Sequence, residues 1–149
     1  MEITIRSPFN EKEWEEYYDL RYRILRQPWK QERGSERNEG DATGIHFGLY
    51  ENGVLKAIAR LDINPTREGQ VRFMAVETDS QRKGYGKQVV LAIEEYCKMY
   101  TINEMILHAR EIAIPFYESL GYEIVEKSHC LFNEIQHYLM QKSLRKSEK

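Results

Sequence analysis

Scarcity narrows this chain before any motif does. Cysteine occurs twice, as Cys97 and Cys130, too few and too plainly spaced for a disulfide framework or a metal-ligating set, so no metal is expected. Cys97 falls on the apolar face of a helical run and reads as core packing. No apolar stretch approaches the roughly 20 residues that cross a bilayer, so no membrane partner is expected. An excess of one charge is missing too, with 22 Lys and Arg against 24 Asp and Glu and a formal net charge of −2. That balance gives no general attraction for nucleic acid, and any anion affinity has to be local. The opening Met1-Glu2-Ile3-Thr4-Ile5-Arg6 has neither the basic segment nor the apolar core of a signal peptide, which points to a cytoplasmic location. Internal repeats are absent, and no nucleophile stands beside a convincing base.

What remains is ordinary in bulk and specific in one place. The 149 residues, 41% hydrophobic and 31% charged, suit one globular domain able to bury a core without staples. We place that domain over residues 1–141 and read 142–149 as a charged, frayed tail. The specific place is Gln81-Arg82-Lys83-Gly84-Tyr85-Gly86-Lys87. Upstream, Val71-Arg72-Phe73-Met74-Ala75-Val76 reads as a strand. Downstream, Val89, Val90, Ile93, Tyr96, Cys97 and Tyr100 keep the spacing of an amphipathic helix. Strand, glycine turn and helix form an anion-binding layout, because N–H groups at a helix start lack intrahelical acceptors and the macrodipole adds positive potential. A nucleotide P-loop is excluded, since the glycines are two apart and Gln88 follows Lys87; the dinucleotide fingerprint lacks its third glycine at Val89.

The rest of the chain reads as alternating elements. Ile3 and Ile5 mark a short strand, ended by Ser7-Pro8. Asn10 caps a helix carrying Trp14, Tyr17, Tyr18, Arg21, Tyr22 and Leu25 along one side, which Pro28 stops. Residues 30–41 have no apolar period and read as a long exposed loop. A hairpin with Asn52-Gly53 at its turn joins Ile45–Tyr50 to Leu55–Leu61. Glu104–Ala109 is an apolar run suited to a buried strand, and a helix from about Ile112 ends at Gly121. Tyr122–Val125 and Tyr138–Met140 are the last strands. Strands outnumber helices, which makes the fold class mixed α+β.

Gln81, Gly84 and Gly86 stand where the Q/R-x-x-G-x-G/A signature of the GNAT superfamily of N-acyltransferases places its conserved-type residues. A second block, Ala113-Ile114-Pro115-Phe116-Tyr117-Glu118-Ser119-Leu120-Gly121-Tyr122, resembles that family's A-x-x-F-Y-x-x-x-G-F/Y block. The two lie in the right order, and the resemblance covers roughly residues 44–126. It implies a mostly antiparallel twisted sheet of about six to seven strands flanked by three to four helices. It implies acetyl-coenzyme A as cosubstrate, with the pyrophosphate on loop N–H groups across Gln81, Arg82, Lys83, Gly84, Tyr85, Gly86 and Lys87. The backbone of Met74, Ala75 and Val76 would line the pantetheine arm, the Val76 N–H facing the thioester carbonyl, a contact worth on the order of 3 kcal/mol in the transition state. Tyr117 would stand beside the sulfur as proton donor. Arg110 occupies a position where the family often has asparagine, so a contact there would run to a phosphate instead.

For the acceptor side the resemblance implies an amine, with Arg23, Trp29, Glu77 and His137 near it and Glu77 or His137 as base. The 30–41 loop would be a lid. His46 and His108 read as structural imidazoles and His129 as surface. Arg21, Arg23 and Arg26 read as a solvated helix face, or, near a cleft, as ligands of an acidic acceptor. The expected activity is direct acetyl transfer from acetyl-coenzyme A to an amine. The alternative is a domain of the same fold that binds coenzyme A as a sensor, and a homodimer is left open.

Overall fold

The computed structural model describes residues 2–145. Its elements run β1 (Ile3–Arg6), α1 (Glu11–Leu25), β2 (Ile45–Glu51), β3 (Val54–Ile63), β4 (Glu68–Val76), α2 (Tyr85–Met99), β5 (Glu104–Arg110), α3 (Ile114–Ser119), β6 (Glu123–Leu131) and β7 (Ile135–Ser143). The seven strands form one sheet in the order β1-β2-β3-β4-β5-β7-β6. Neighbours β1–β2, β2–β3, β5–β7 and β6–β7 are antiparallel. β4 and β5 are parallel, which requires a crossover, and α2 supplies it. The expected mixed α+β, mostly antiparallel architecture is therefore what the chain adopts. Two compact units divide the residues: one runs to Asp62 and resumes over Arg72–Ile93, the other takes Ile63–Val71 and the chain from Glu94 onward.

In the first unit, α1 starts where Asn10 accepts from the Glu13 N–H at 2.9 Å, satisfying one orphan donor. Tyr17 and Leu20 then pack on Ile58 and Ala75, with Trp14, Tyr18, Ile24, Leu25 and Leu55 around them. Burying Leu20 and Ile58 contributes on the order of 2 kcal/mol each. β3 is buried on both faces from Ala57 to Leu61, so the position of Arg60 is interior.

A polar node completes this core. Asp41 Oδ1 accepts from Arg21 at 2.9 Å and from Arg60 at 2.8 Å. Arg60 also donates two hydrogen bonds to Asp62, both 2.8 Å. His46 Nε2 donates to the Asp41 carbonyl at 2.9 Å, which leaves Nδ1 to accept from the Tyr17 hydroxyl at 2.8 Å. Arg21 and Arg60 are fully buried. Arg21 is thus no part of a solvated face: its guanidinium donates to the Tyr17 hydroxyl at 3.3 Å and meets a carboxylate inside the unit. The 30–41 loop is also less free than its composition suggests. Asn38 caps a short 3-10 turn, Glu39–Ala42, and Asp41 is held by both arginines.

In the second unit, the first residues of β4 pair with β5, Glu68 opposite Glu104 through Val71 opposite Leu107. Gly69 is needed there: a Cβ would stand 2.9 Å from Cys97 Sγ and 3.0 Å from Met105 Sδ. Cys97 is buried and its thiol is pushed up to about 11 by burial, in keeping with packing rather than chemistry. β5 buries only Met105, Leu107 and Ala109, one face rather than the two that its apolar run suggested. Gly121 adopts φ +96° after α3, the helix-ending conformation that glycine accepts most readily.

β6 and β7 are far longer than the strands read from the sequence. Their turn places Phe132 and Asn133 at φ +54° and +56°. β6 is the outer strand and largely exposed, so Glu126 to His129 show no apolar alternation to find. Lys142 and Ser143 belong to β7, and Lys142 Nζ donates at 2.9 Å to the buried Glu94, which also accepts from the Tyr122 hydroxyl at 2.8 Å. The part of the expected tail at 146–149 lies outside the described residues.

Removing the Asp41 carboxylate leaves two buried guanidiniums without it, a change that costs several kcal/mol when a buried ion pair is broken. Asp41→Ala should therefore lower unfolding free energy by about 3 kcal/mol in urea titration. A change below about 0.5 kcal/mol, the scale of an exposed pair, would contradict the node's role.

Candidate functional site

The turn ahead of α2 has a backbone geometry suited to an anion. Arg82 and Gly84 both have positive φ, +68° and +82°, and Lys83 between them does not. Alternation of this kind turns successive N–H groups toward one side. A Cβ at Gly84 would meet nothing within 4 Å, so the space above it is open to a ligand. Gln88 N–H closes the first helical bond on the Gly84 carbonyl at 3.1 Å, and the N–H groups just before it, in the first turn, have no intrahelical partner. Arg82, Lys83 and Lys87 are exposed around this point.

Two contacts hold the turn. Tyr85 is buried and its hydroxyl donates to Glu51 at the end of β2, and Gln81 Nε2 reaches back to the Val76 carbonyl at 3.3 Å. The Gln81 side chain thereby ties the turn to the end of β4, where Met74, Ala75 and Val76 stand. Gly86 is buried, as close backbone packing at a helix start demands.

Glu77 follows Val76 and is not a free base. Both its oxygens accept from Arg23, at 2.8 and 2.9 Å, and Arg23 also bonds Asp19 at 2.7 Å. The Arg23 guanidinium holds the Glu77 carboxyl below its ordinary range, which makes it a weak proton acceptor.

The second unit carries the other candidates. Tyr117 on α3 is buried, edge to face with Phe116 and Tyr122 at 4.9 and 5.9 Å. Burial pushes its phenol up to about 12, against the opposing pull of Arg110, so it stays protonated at neutral pH. Arg110 stands opposite His137 across β5 and β7. His137 Nδ1 lies 2.9 Å from the Ile135 carbonyl; a carbonyl only accepts, so Nδ1 carries the proton and Nε2 keeps its lone pair. Burial lowers the His137 pKa against the opposing pull of the Ile135 carbonyl, and His129, Arg110 and His108 lower it further. The ring is therefore neutral at pH 7.

Sequence reasoning left His108, His129 and His137 apart, one structural, one surface, one functional. The fold gathers them: His129 stacks on His137 at 4.4 Å and lies 5.3 Å from His108, whose Nδ1 meets Ser128 Oγ at 3.0 Å. No local pattern marks this group, because the meeting of the three rings depends on the pairing register of β5, β6 and β7. No group of three or more His, Cys, Asp or Glu among the described residues is placed to hold a metal ion.

Glu77 also supplies a pH test. Its folded pKa is depressed, so the stability it adds is fully present above the ordinary carboxylate range and is lost as pH falls through the depressed value. The stability gap between wild type and Glu77→Gln should be steady from pH 8 to about 5 and should shrink below about pH 4. An equal gap at pH 7 and pH 3 would show that Arg23 does not depress this carboxyl.

Comparison with known proteins agrees with this layout. An aminoglycoside 6'-N-acetyltransferase complexed with coenzyme A matches with a TM-score of 0.82 at 15% identity, covering 100% of both chains. The PaiA N-acetyltransferase of Thermoplasma acidophilum in complex with coenzyme A gives 0.74 at 17% identity, covering 96% of this chain and 99% of that one. The ribosomal-protein-S18-alanine N-acetyltransferase of Escherichia coli gives 0.72 at 19%, covering 99% and 97%. At such identities these likenesses concern the fold. The model of the acetyltransferase (GNAT) family, however, matches residues 12–122, most of the chain and both motif blocks, and the protein belongs to that family.

Proposed function

We propose that this protein transfers an acetyl group from acetyl-coenzyme A directly to an amine, with no covalent enzyme intermediate. The observation that carries the reading is the cradle: left-handed Arg82 and Gly84, open space above Gly84, and the free N–H groups opening α2. Two structural neighbours solved with coenzyme A support the choice of cosubstrate. In this reading the diphosphate rests on N–H groups between Arg82 and Lys87, with exposed Arg82, Lys83 and Lys87 adding cationic charge. The backbone of Met74, Ala75 and Val76 flanks the pantetheine arm. The half-buried Arg110, whose charge is disfavoured by desolvation, would gain from an anionic group of the coenzyme.

Proton traffic is assigned by acidity. An attacking amine must shed a proton, and His137 suits the base because Nε2 is unprotonated at pH 7, whereas Glu77 is occupied by Arg23. Tyr117 suits the acid because it is a phenol in a dry setting. A thiolate whose thiol has an ordinary pKa near 8.5 is a weaker base than this phenolate by about 3.5 units, so full transfer is uphill by roughly 5 kcal/mol unless the same dryness raises the thiol pKa. Hydrogen bonding to the developing thiolate, with the proton passing late, meets that constraint.

Release of free thiol from acetyl-coenzyme A over a panel of amines tests the activity; a chain that binds coenzyme A yet acetylates none of them is a sensor instead. Within an active protein, Tyr117→Phe should lower kcat by one to two decades with coenzyme A affinity unchanged. His137→Ala should lower kcat/KM and abolish its acidic limb. Wild-type kcat in the phenylalanine variant, or an unmoved pH profile in the alanine variant, removes that residue from the mechanism.

A further inference from the structure

The end of α1 and the loop after it are dense in arginine, and the fold turns part of that density inward. Phe73 on β4 has φ +54°, a left-handed conformation costly for a bulky residue and found where the surroundings enforce it. Its half-buried ring is ringed by cations. The guanidinium carbons of Arg21, Arg60, Arg72 and Arg26 lie 4.3, 5.0, 5.3 and 5.7 Å from its centroid. All belong to the first unit.

The carboxylates beside them are already engaged. Asp41 serves Arg21 and Arg60; Asp62 serves Arg60 and, at 3.6 Å, Arg72. Arg26 also donates to the Ser35 and Leu25 carbonyls at 3.1 and 3.0 Å, and with Glu36 and Arg37 counted the cluster holds five cations against three carboxylates. The neighbouring Glu36 carboxylate accepts from the Gly34 N–H and from Arg37, itself a cation, and its charge favours the Arg26 cation. The Nε of Arg21 is buried without a hydrogen-bond partner. Burial disfavours the charge of Arg26, Arg21 and Arg72 add to that, and Glu36 opposes it. Arg21 and Arg60 are closed to solvent, whereas Arg26 is partly exposed and the Arg72 side chain is 40% exposed.

Such an arrangement lowers its energy by taking an anion. Guanidinium forks match the planar or tetrahedral oxygens of carboxylate and phosphate. Three residues of strand separate Phe73 from Val76, about 10 Å, a distance that one small molecule spans. We propose that Arg26, Arg72 and the Phe73 ring form an acceptor-recognition subsite, so that the amine acetylated here also carries a carboxylate or phosphate group. The assignment of an acceptor rests on the acetyltransferase reading above; the anion subsite itself does not. Polycationic amines are disfavoured by the same charge.

Steady-state kinetics with glutamate, phosphoethanolamine and spermidine tests it. The expected result is a kcat/KM at least tenfold higher for one of the two anionic amines than for spermidine. That ratio should fall at least tenfold, through KM, in Arg26→Gln and Arg72→Gln. Arg72 is partly exposed, so its variant remains a test if Arg26→Gln does not fold. Preference for spermidine in the wild type, or a ratio unmoved by Arg72→Gln, overturns the proposal. Should no amine be acetylated, calorimetric titration with succinate and with inorganic phosphate decides separately: binding that weakens at least fivefold in Arg72→Gln supports the subsite, and no binding of either anion to the wild type overturns it.

Discussion

One carboxylate holds the first unit in its functional shape. Asp41 Oδ1 is shared between Arg21 from α1 and Arg60 from β3, so helix, loop and strand are fixed relative to one another through a single buried node. Charges removed from water are tolerated only when paired and hydrogen-bonded. Asn38, Asp62, His46 and Tyr17 supply those further bonds. The consequence reaches the chemistry, because α1 then carries Arg23 to Glu77 and the node sets Arg21 and Arg60 against Phe73, two residues ahead of the strand end at Ala75 and Val76.

The two acid–base candidates differ by what surrounds them. Glu77 lies in a charge chain with Arg23 and Asp19, which stabilises its anion and weakens it as a base. His137 lies among other imidazoles and near Arg110, which disfavours its cation and keeps a lone pair available. Position in the chain does not separate them; environment does. The same rule applies to Tyr117, whose burial keeps the phenol protonated and makes it reluctant to ionise.

Local patterns in the sequence were legible where local physics decides. The Gly84 turn, the Asn10 cap, the Gly121 helix end and the Asn52-Gly53 hairpin each depend on one or two residues, and each forms as read. The alternation of Leu55, Ala57, Ala59 and Leu61 located β3 but hid Arg60, because a central strand buries the polar-looking face as well. β6 runs well past Val125 because an outer strand needs no apolar period, and Lys142 has the look of a tail residue because nothing local points to Glu94. The Asp41 node, the Phe73 cluster and the histidine group all join residues far apart in sequence. Their residues were visible and their meeting was not.

The central claim is that coenzyme A is held by backbone N–H groups at the opening of α2, and residue-resolved amide hydrogen exchange reads those groups directly. With saturating coenzyme A, exchange at the amides between Arg82 and Lys87 should slow by at least tenfold, while the Arg67 amide, bonded to the Asn64 carbonyl in the turn before β4, stays unchanged. Bound coenzyme A that leaves the 82–87 amides exchanging at their unliganded rates would contradict the account.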